Sequence, residues 1–370
     1  MVTCAAGTCG QHIGKAGSCH TLTQVNPSVS VVIPCYNYGH FLRDAVRSAL
    51  DDQPGVDVRV LIIDDASTDG SAEMARAIAA SDARVEVSEH ATNAGHIATY
   101  NEGLLDWADR DYTALLSADD RLTPGALRRA ADLLDTHPEV GFAYGHPVRF
   151  EHGSPPVART TARGWSVWPG HWWLEQRFRS CTSCISSPEV VVRTTLQKQV
   201  GGYDPQLPHT GDTEMWLRLA AHADVGYIRG ADQAFYRIHG QNMTKTRTLL
   251  VELSQRRLAY EAVLARCGDL LPEADRLSDL VHRKIAWQAL WAAARAYDRG
   301  RTEQTPVAEL IAFAFDCWPE ASRLPIYRGL QLRTWLGPRV TPYLQPFVLS
   351  AVGRKAYNLW WWRTWARRGW

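Results

Sequence analysis

The chain has 370 residues, of which 45% are hydrophobic and 21% charged, and its formal net charge is +1. This is the composition of a globular protein, large enough for one big domain with an appendage or for two domains, and it excludes a collagen-like or low-complexity chain. No run of eighteen apolar residues occurs, so no spanning helix is expected, and nothing in the charge balance calls for a nucleic-acid partner.

Residues 1–28 lack the apolar core of a signal peptide and read as a leader without fixed structure. Cys4, Cys9, Cys19 and His20 in this leader match no common zinc-ligand spacing. Eight cysteines spread over so long a chain suit a reducing compartment better than a disulfide framework, and Cys181 and Cys184 read as two half-buried loop thiols.

From residue 29 strand and helix alternate. Residues 29–34 predict a β-rich strand ending in Pro34, and apolar residues at 41, 42, 45, 46, 49 and 50 then take helical spacing. Strands follow at 58–63, 84–88 and 112–116, and helices at 71–80, 97–108 and 124–136, the last with Thr123 as N-cap and Pro124 in its first turn. Alternation of this kind predicts a mostly parallel sheet covered on both faces, with ligands bound at the carboxyl ends of its strands. Residues 140–239 are irregular, with short strands expected at 141–144, 189–192 and 225–228 among aromatic loops. Helices are expected at 249–267, 272–297 and 306–315. The simplest division is therefore 29–245 and a helical region 246–370. Residues 321–370 hold six Trp, nine Arg or Lys and no Asp or Glu; against a whole-chain net of +1 this leaves −8 for the rest. A basic, Trp-rich end predicts peripheral contact with an anionic membrane.

Polar clusters stand at the three strand ends where chemistry belongs. Pro34-Cys35-Tyr36-Asn37 follows the first strand, where Tyr36 could stack on a base and Asn37 bond its edge, or where an ordinary turn could stand. After the second strand, Asp64, Asp65 and Asp69 repel one another unless donors or cations satisfy them. Asp69 suits a helix start and Asp65 a ligand. After the fourth strand come Asp119 and Asp120, a solvated turn or a site for a hard divalent cation shared with a diphosphate. Asp212 precedes an amphipathic stretch beginning at Trp216; a helix start favours an ionised carboxylate able to accept a proton, and an N-cap would look the same. His239 follows Tyr236-Arg237-Ile238, and Trp165, Trp168, Trp172 and Trp173 are either a sugar-stacking surface or a small core.

Six motifs in order change the weight of these clusters: VSVVIPCYNYGHFLRDAVRSAL, LIIDDASTDGS, NAGHIATYNEGL, LLSADDRLTPGAL, VGGYDPQLPHTGDTEMWLRLA and YRIHGQNMT. Over residues 28–245 the chain resembles the family 2 inverting glycosyltransferases of the GT-A fold. The resemblance implies an α/β fold with a Rossmann-like, mostly parallel sheet flanked by helices, followed by a helical C-terminal region. It implies nucleotide-sugar binding by Pro34, Tyr36, Asn37, Asp65, His96 and Asp119, a Mg²⁺ or Mn²⁺ ion held by Asp120 and His239, and Asp212 as catalytic base. Two positions depart from the pattern: Ser117 stands where many members carry Asp, and Gly211 where Glu is usual.

The implied activity is metal-dependent, inverting transfer of a sugar from a nucleotide-diphosphate sugar to a saccharide or lipid-linked acceptor. Synthesis of cell-surface polysaccharide or glycoconjugate, in the cytoplasm at the inner face of the plasma membrane, is the expected setting. An inactive binding module of the same fold is the alternative. A sugar nucleotidyltransferase is disfavoured, because CYNYGHF lacks the Gly-rich basic loop such enzymes carry after the first strand.

Overall fold

Every second residue of a strand faces the same side, and here both sides are apolar. In β1 (Ser28–Cys35), Val29, Val31 and Ile33 enter one core and Val32 enters another. Full burial of each such side chain stabilises the fold by about 1.5–3 kcal/mol, and that demand puts β1 in the sheet's interior. It pairs in parallel with β2 (Asp57–Asp64) and β4 (Tyr112–Leu115), and β2 with β3 (Val85–Glu89).

This computed structural model describes residues 26–151, 153–240 and 248–344, with 353, 356, 360 and 369. The remaining strands are β5 (Arg121–Leu122), β6 (Val140–Phe150), β7 (Trp165–Trp168), β8 (Val191–Arg193) and β9 (Asp224–Arg237). The sheet runs β3-β2-β1-β4-β8-β6-β9-β5, with β7 also on β9. Pairing is parallel among β1 to β4 and between β6 and β9, and antiparallel where β8, β5 and β7 join.

Helices α1 (Gly39–Leu50), α2 (Ser71–Ser81) and α4 (Ala126–Thr136) cover one face. The other carries α3 (His96–Asn101), α5 (Gly170–Ser180), α6 (Thr194–Val200) and α7 (Gly211–His222). Against these pack α8 (Leu249–Cys267), α9 (Ala274–Asp298), α10 (Val307–Cys317) and α11 (Pro325–Leu336). One continuous core runs from Val32 and Phe142 through Trp216 and Tyr260 to Leu310 and Leu330, so the described C-terminal helices complete the sheet's second face.

Several expectations are corrected. Thr123 is not an N-cap: it is fully buried with its hydroxyl donating to the Asp232 carbonyl at 2.5 Å, and the helix begins at Ala126 after Gly125 in the left-handed region (φ 71°). The helix expected at 97–108 is α3 followed by a wider π-type turn, Glu102–Trp107. That turn lies so close to β1 that a Cβ on Gly103 would stand 2.3 Å from Val32 Cγ1. Strands β6 and β9 run well past the short segments expected, because His146, Asp232 and Gln233 satisfy one another or the helix behind them. Residues 165–168 and 170–180, read as loop, are β7 and α5. Cys181 and Cys184 are fully buried thiols rather than half-buried ones. The leader with Cys4, Cys9, Cys19 and His20, and most of 345–370, lie outside the described residues.

Candidate active site

Parallel register brings the ends of β1, β2 and β4 to one edge of the sheet: Cys35 lies opposite Asp64, and Val32 opposite Leu115. The chain turns sharply there. Asn37 and Ala66 both adopt φ 58°, and Asn37 Oδ1 accepts the Thr68 N–H at 2.8 Å while its own N–H donates to Ser67 Oγ at 2.9 Å. Asp69 accepts the N–H groups of Ser71 and Gly39, the helix-start role expected of it.

A cavity of about 650 Å³ opens at this edge. Pro34, Tyr36, Asn37, Asp65, His96, Asp119, Asp120 and Asp212 all line it; His239 does not. Tyr36 is half exposed on the wall and free to offer a ring face. Asp65 Oδ1 accepts the Ala94 N–H at 2.7 Å and Oδ2 the Gly95 N–H at 2.9 Å. His90 Nδ1 meets Oδ1 at 2.7 Å, and its Nε2 meets Glu102 Oε2 at 2.7 Å. Burial opposes charge on both partners, but these bonds prevail: Asp65 is held below the usual carboxylate range, and His90 is raised above the usual imidazole value. His90 belongs to no motif that marks the site, and Glu102 stands in one without being singled out; only the fold brings them to Asp65.

Asp119 and Asp120 are both buried. Asp120 Oδ1 accepts the Arg237 backbone N–H at 2.8 Å, and the Asp119 carbonyl accepts Arg237 Nε–H at 2.9 Å. Burial, and then the neighbouring Asp119, push the Asp120 carboxyl well above its ordinary value despite that bond. His239, expected to share a metal with Asp120, meets Asp119: Nε2 to Oδ2 is 2.8 Å. Among the described residues no three His, Cys, Asp or Glu side chains form a ready-made metal cluster.

Asp212 occupies the first turn of α7. Ser187 Oγ–H donates to its Oδ2 at 2.7 Å, and Tyr203 hydrogen-bonds it too. Burial first, and then the Asp212 charge, push the Tyr203 phenol up. The loop before α7 is tied to the C-terminal helices, since Arg266 of α8 bonds Asp204 at 2.7 Å and Glu214 at 3.0 Å. Glu189, absent from the expected site, is fully buried nearby; desolvation, opposed by the Ser186 N–H, raises its carboxyl to about 8. None of Trp165, Trp168, Trp172 and Trp173 lines the cavity. Trp173 is buried with its Nε1–H donating to Tyr144 Oη at 3.2 Å, and Trp168 stacks on Trp172 at 6.3 Å, so the small-core reading describes them.

The arrangement offers a concave site with one carboxylate at a strand turn, a buried acidic pair, and a fourth acid at a helix start. Residues 30–185 match the model of glycosyl transferase family 2. The hyaluronan synthase of Pasteurella multocida is 24% identical over 256 residues; the match covers 69% of this chain but only 25% of that protein. S. aureus TarS 1–349 in complex with UDP-GlcNAc superposes with a TM-score of 0.58 at 15% identity, covering 85% of this chain and 88% of that one. A mannosyltransferase from Pyrobaculum calidifontis in complex with GDP-Man and Mn²⁺ gives 0.51 at 14% identity, over 90% and 88%. Over residues 30–185 the chain is thus similar to the family 2 glycosyltransferases, and it has the GT-A fold.

Proposed function

We propose that this glycosyltransferase moves a sugar, with inversion, from a nucleoside-diphosphate sugar to a hydroxyl of a saccharide or lipid-linked acceptor. Convergence of Asp65, the Asp119–Asp120 pair and Asp212 on one cavity carries the reading. Asp65 and Tyr36 hold the base, with Pro34 and Asn37 shaping the turn, while His96 and Asp119 line the path toward the diphosphate. Asp212 takes the acceptor proton as the acceptor oxygen bonds the anomeric carbon from the face opposite the phosphate. The bond from that carbon to the phosphate oxygen breaks, and its electrons leave with the nucleoside diphosphate.

Two buried, adjacent carboxylates suit a hard divalent cation, whose charge would offset their mutual repulsion. Asp120 would hold Mg²⁺ or Mn²⁺, and His239 could join by exchanging its bond to Asp119. Such an ion neutralises charge on the leaving diphosphate.

Incubation with UDP-GlcNAc, UDP-glucose and GDP-mannose, with Mn²⁺ or with EDTA, tests this. Expected is release of nucleoside diphosphate from one donor, lost with EDTA, and an Asp120→Asn variant that Mn²⁺ no longer activates. Nucleotide binding without release from any donor would favour the inactive binding module instead.

A membrane contact is inferred at the C-terminal helices. No described helix is long and apolar enough to cross one. On α11, however, Arg328, Gln331, Leu332 and Trp335 share one exposed face, and Val340 and Tyr343 beyond it are exposed too; Trp335 and Tyr343 are 80% and 85% exposed. Aromatic and aliphatic side chains beside arginines, with no carboxylate in 321–344, fit the surface of an anionic bilayer. The full chain is expected to sediment with phosphatidylglycerol-containing vesicles and not with phosphatidylcholine alone. Trp335→Ala with Tyr343→Ala should lower that binding at least tenfold; equal sedimentation with both vesicle types removes the proposal.

A further inference from the structure

Glu189 is 1% exposed and follows Pro188 in the turn that leads into β8. Its Oε1 accepts the Ser186 backbone N–H at 2.6 Å, and its Oε2 has no hydrogen-bond partner. A buried carboxyl only half satisfied is costly and is retained for a reason. It lies near enough to Asp212 and Asp120 for charge to be felt between them, and it is the one acid of this group outside the cavity wall.

The turn it closes is strained. Ser187 adopts φ 84°, in the left-handed region that disfavours residues with a Cβ, and its carbonyl accepts the Val190 N–H at 3.1 Å. Strain of this kind persists only where the surroundings enforce it, and it gathers at functional sites. Here it aims one hydroxyl: Ser187 lines the cavity and donates to Asp212 Oδ2 at 2.7 Å. The sequence of bonds runs from Glu189 to the Ser186 N–H, through the backbone to Ser187, and on to the carboxylate.

We propose that Ser187 and Glu189 are positioning residues for sugar transfer: Glu189 locks the 186–190 turn, and the turn holds the Asp212 carboxylate in the orientation that meets the acceptor hydroxyl. The inference rests on Asp212 being the base. Tyr203 also hydrogen-bonds this carboxylate, so the brace sets direction rather than supplying the only contact. A neutral carboxyl at 189 suits the task, because a second negative charge beside Asp212 would push the base away from its place.

Ser187→Gly separates this role from a merely structural one. Glycine accepts a positive φ without strain, so the variant should melt at or above the parent temperature. Its kcat should nonetheless fall about 10- to 100-fold, the scale of a displaced catalytic group, with donor KM within about twofold of the parent. Glu189→Ala should lower kcat in the same direction, and Glu189→Gln, which keeps the shape of the neutral acid and an acceptor for the Ser186 N–H, should recover most of that loss. Asp212→Asn is measured in parallel on the donor that the parent turns over best. If the parent turns over no donor, or Asp212→Asn keeps parental kcat, the base assignment fails and the brace fails with it. If Asp212→Asn is inactive while Ser187→Gly matches the parent, the brace alone is overturned. Loss of kcat in Ser187→Gly together with a lowered melting temperature would likewise assign the turn a structural role only.

Discussion

Asp212→Asn is expected to lower kcat by about 10²- to 10⁴-fold, the range of a positioned general base, which is roughly 3–5 kcal/mol of transition-state stabilisation. Donor KM and melting temperature should stay near parental values, for the amide keeps the shape that Ser187 and Tyr203 contact. The carboxylate stands in the first turn of α7, where the helix's unpaired N–H groups favour negative charge. It lines the same cavity as the acidic pair. Steady-state nucleotide release at saturating donor and acceptor measures the effect, and a variant with parental kcat would remove Asp212 from the mechanism.

The largest stability effect is expected two residues further along the same helix. Glu214 is completely buried and takes both Arg218, at 2.8 Å from Nε and from Nη2, and Arg266 of α8. Arg218 is itself 4% exposed and also donates to the Val200 and Gly202 carbonyls. Glu214→Ala leaves a buried guanidinium uncompensated, at a cost of about 3–5 kcal/mol, and a fall in melting temperature on the order of 10 °C follows. Because Arg266 also holds Asp204, the loop leading to Asp212 should loosen as well, so activity is lost below the melting transition. Thermal unfolding followed by circular dichroism, beside activity against temperature, checks both parts. A drop under about 1 kcal/mol would show the network to be dispensable.

The two predictions concern neighbours on one helix that differ in how they could be read. Asp212 stands at a fixed distance before Trp216 in a motif, and its place at a helix start follows from the amphipathic stretch behind it. Glu214 appears in the same string as one more acid. Nothing local announces that Arg266, from a helix fifty residues later, comes to cover it. Asp65 and His90 repeat the contrast: the strand end exposes Asp65, whereas His90 reaches it from the far end of β3 and Glu102 from the turn after α3.

Local chemistry alone determines the front of the molecule. Apolar runs of six to eight residues, helical spacing between them and acids at strand ends specify a parallel sheet with its chemistry at the carboxyl edge, because each of these signals lies within a few residues of the element it builds. Tertiary structure decides the rest. The extension of β6 and β9 depends on polar side chains that find partners across the sheet, the burial of Trp173 depends on α5 packing against α7 and α9, and His239 meets Asp119 because the chain leaving β9 delivers it there. The turn at Ser187 belongs to the same class. Its strain and its bond to Asp212 exist only once residues 25 apart in sequence are folded against each other, and no spacing along the chain encodes that contact.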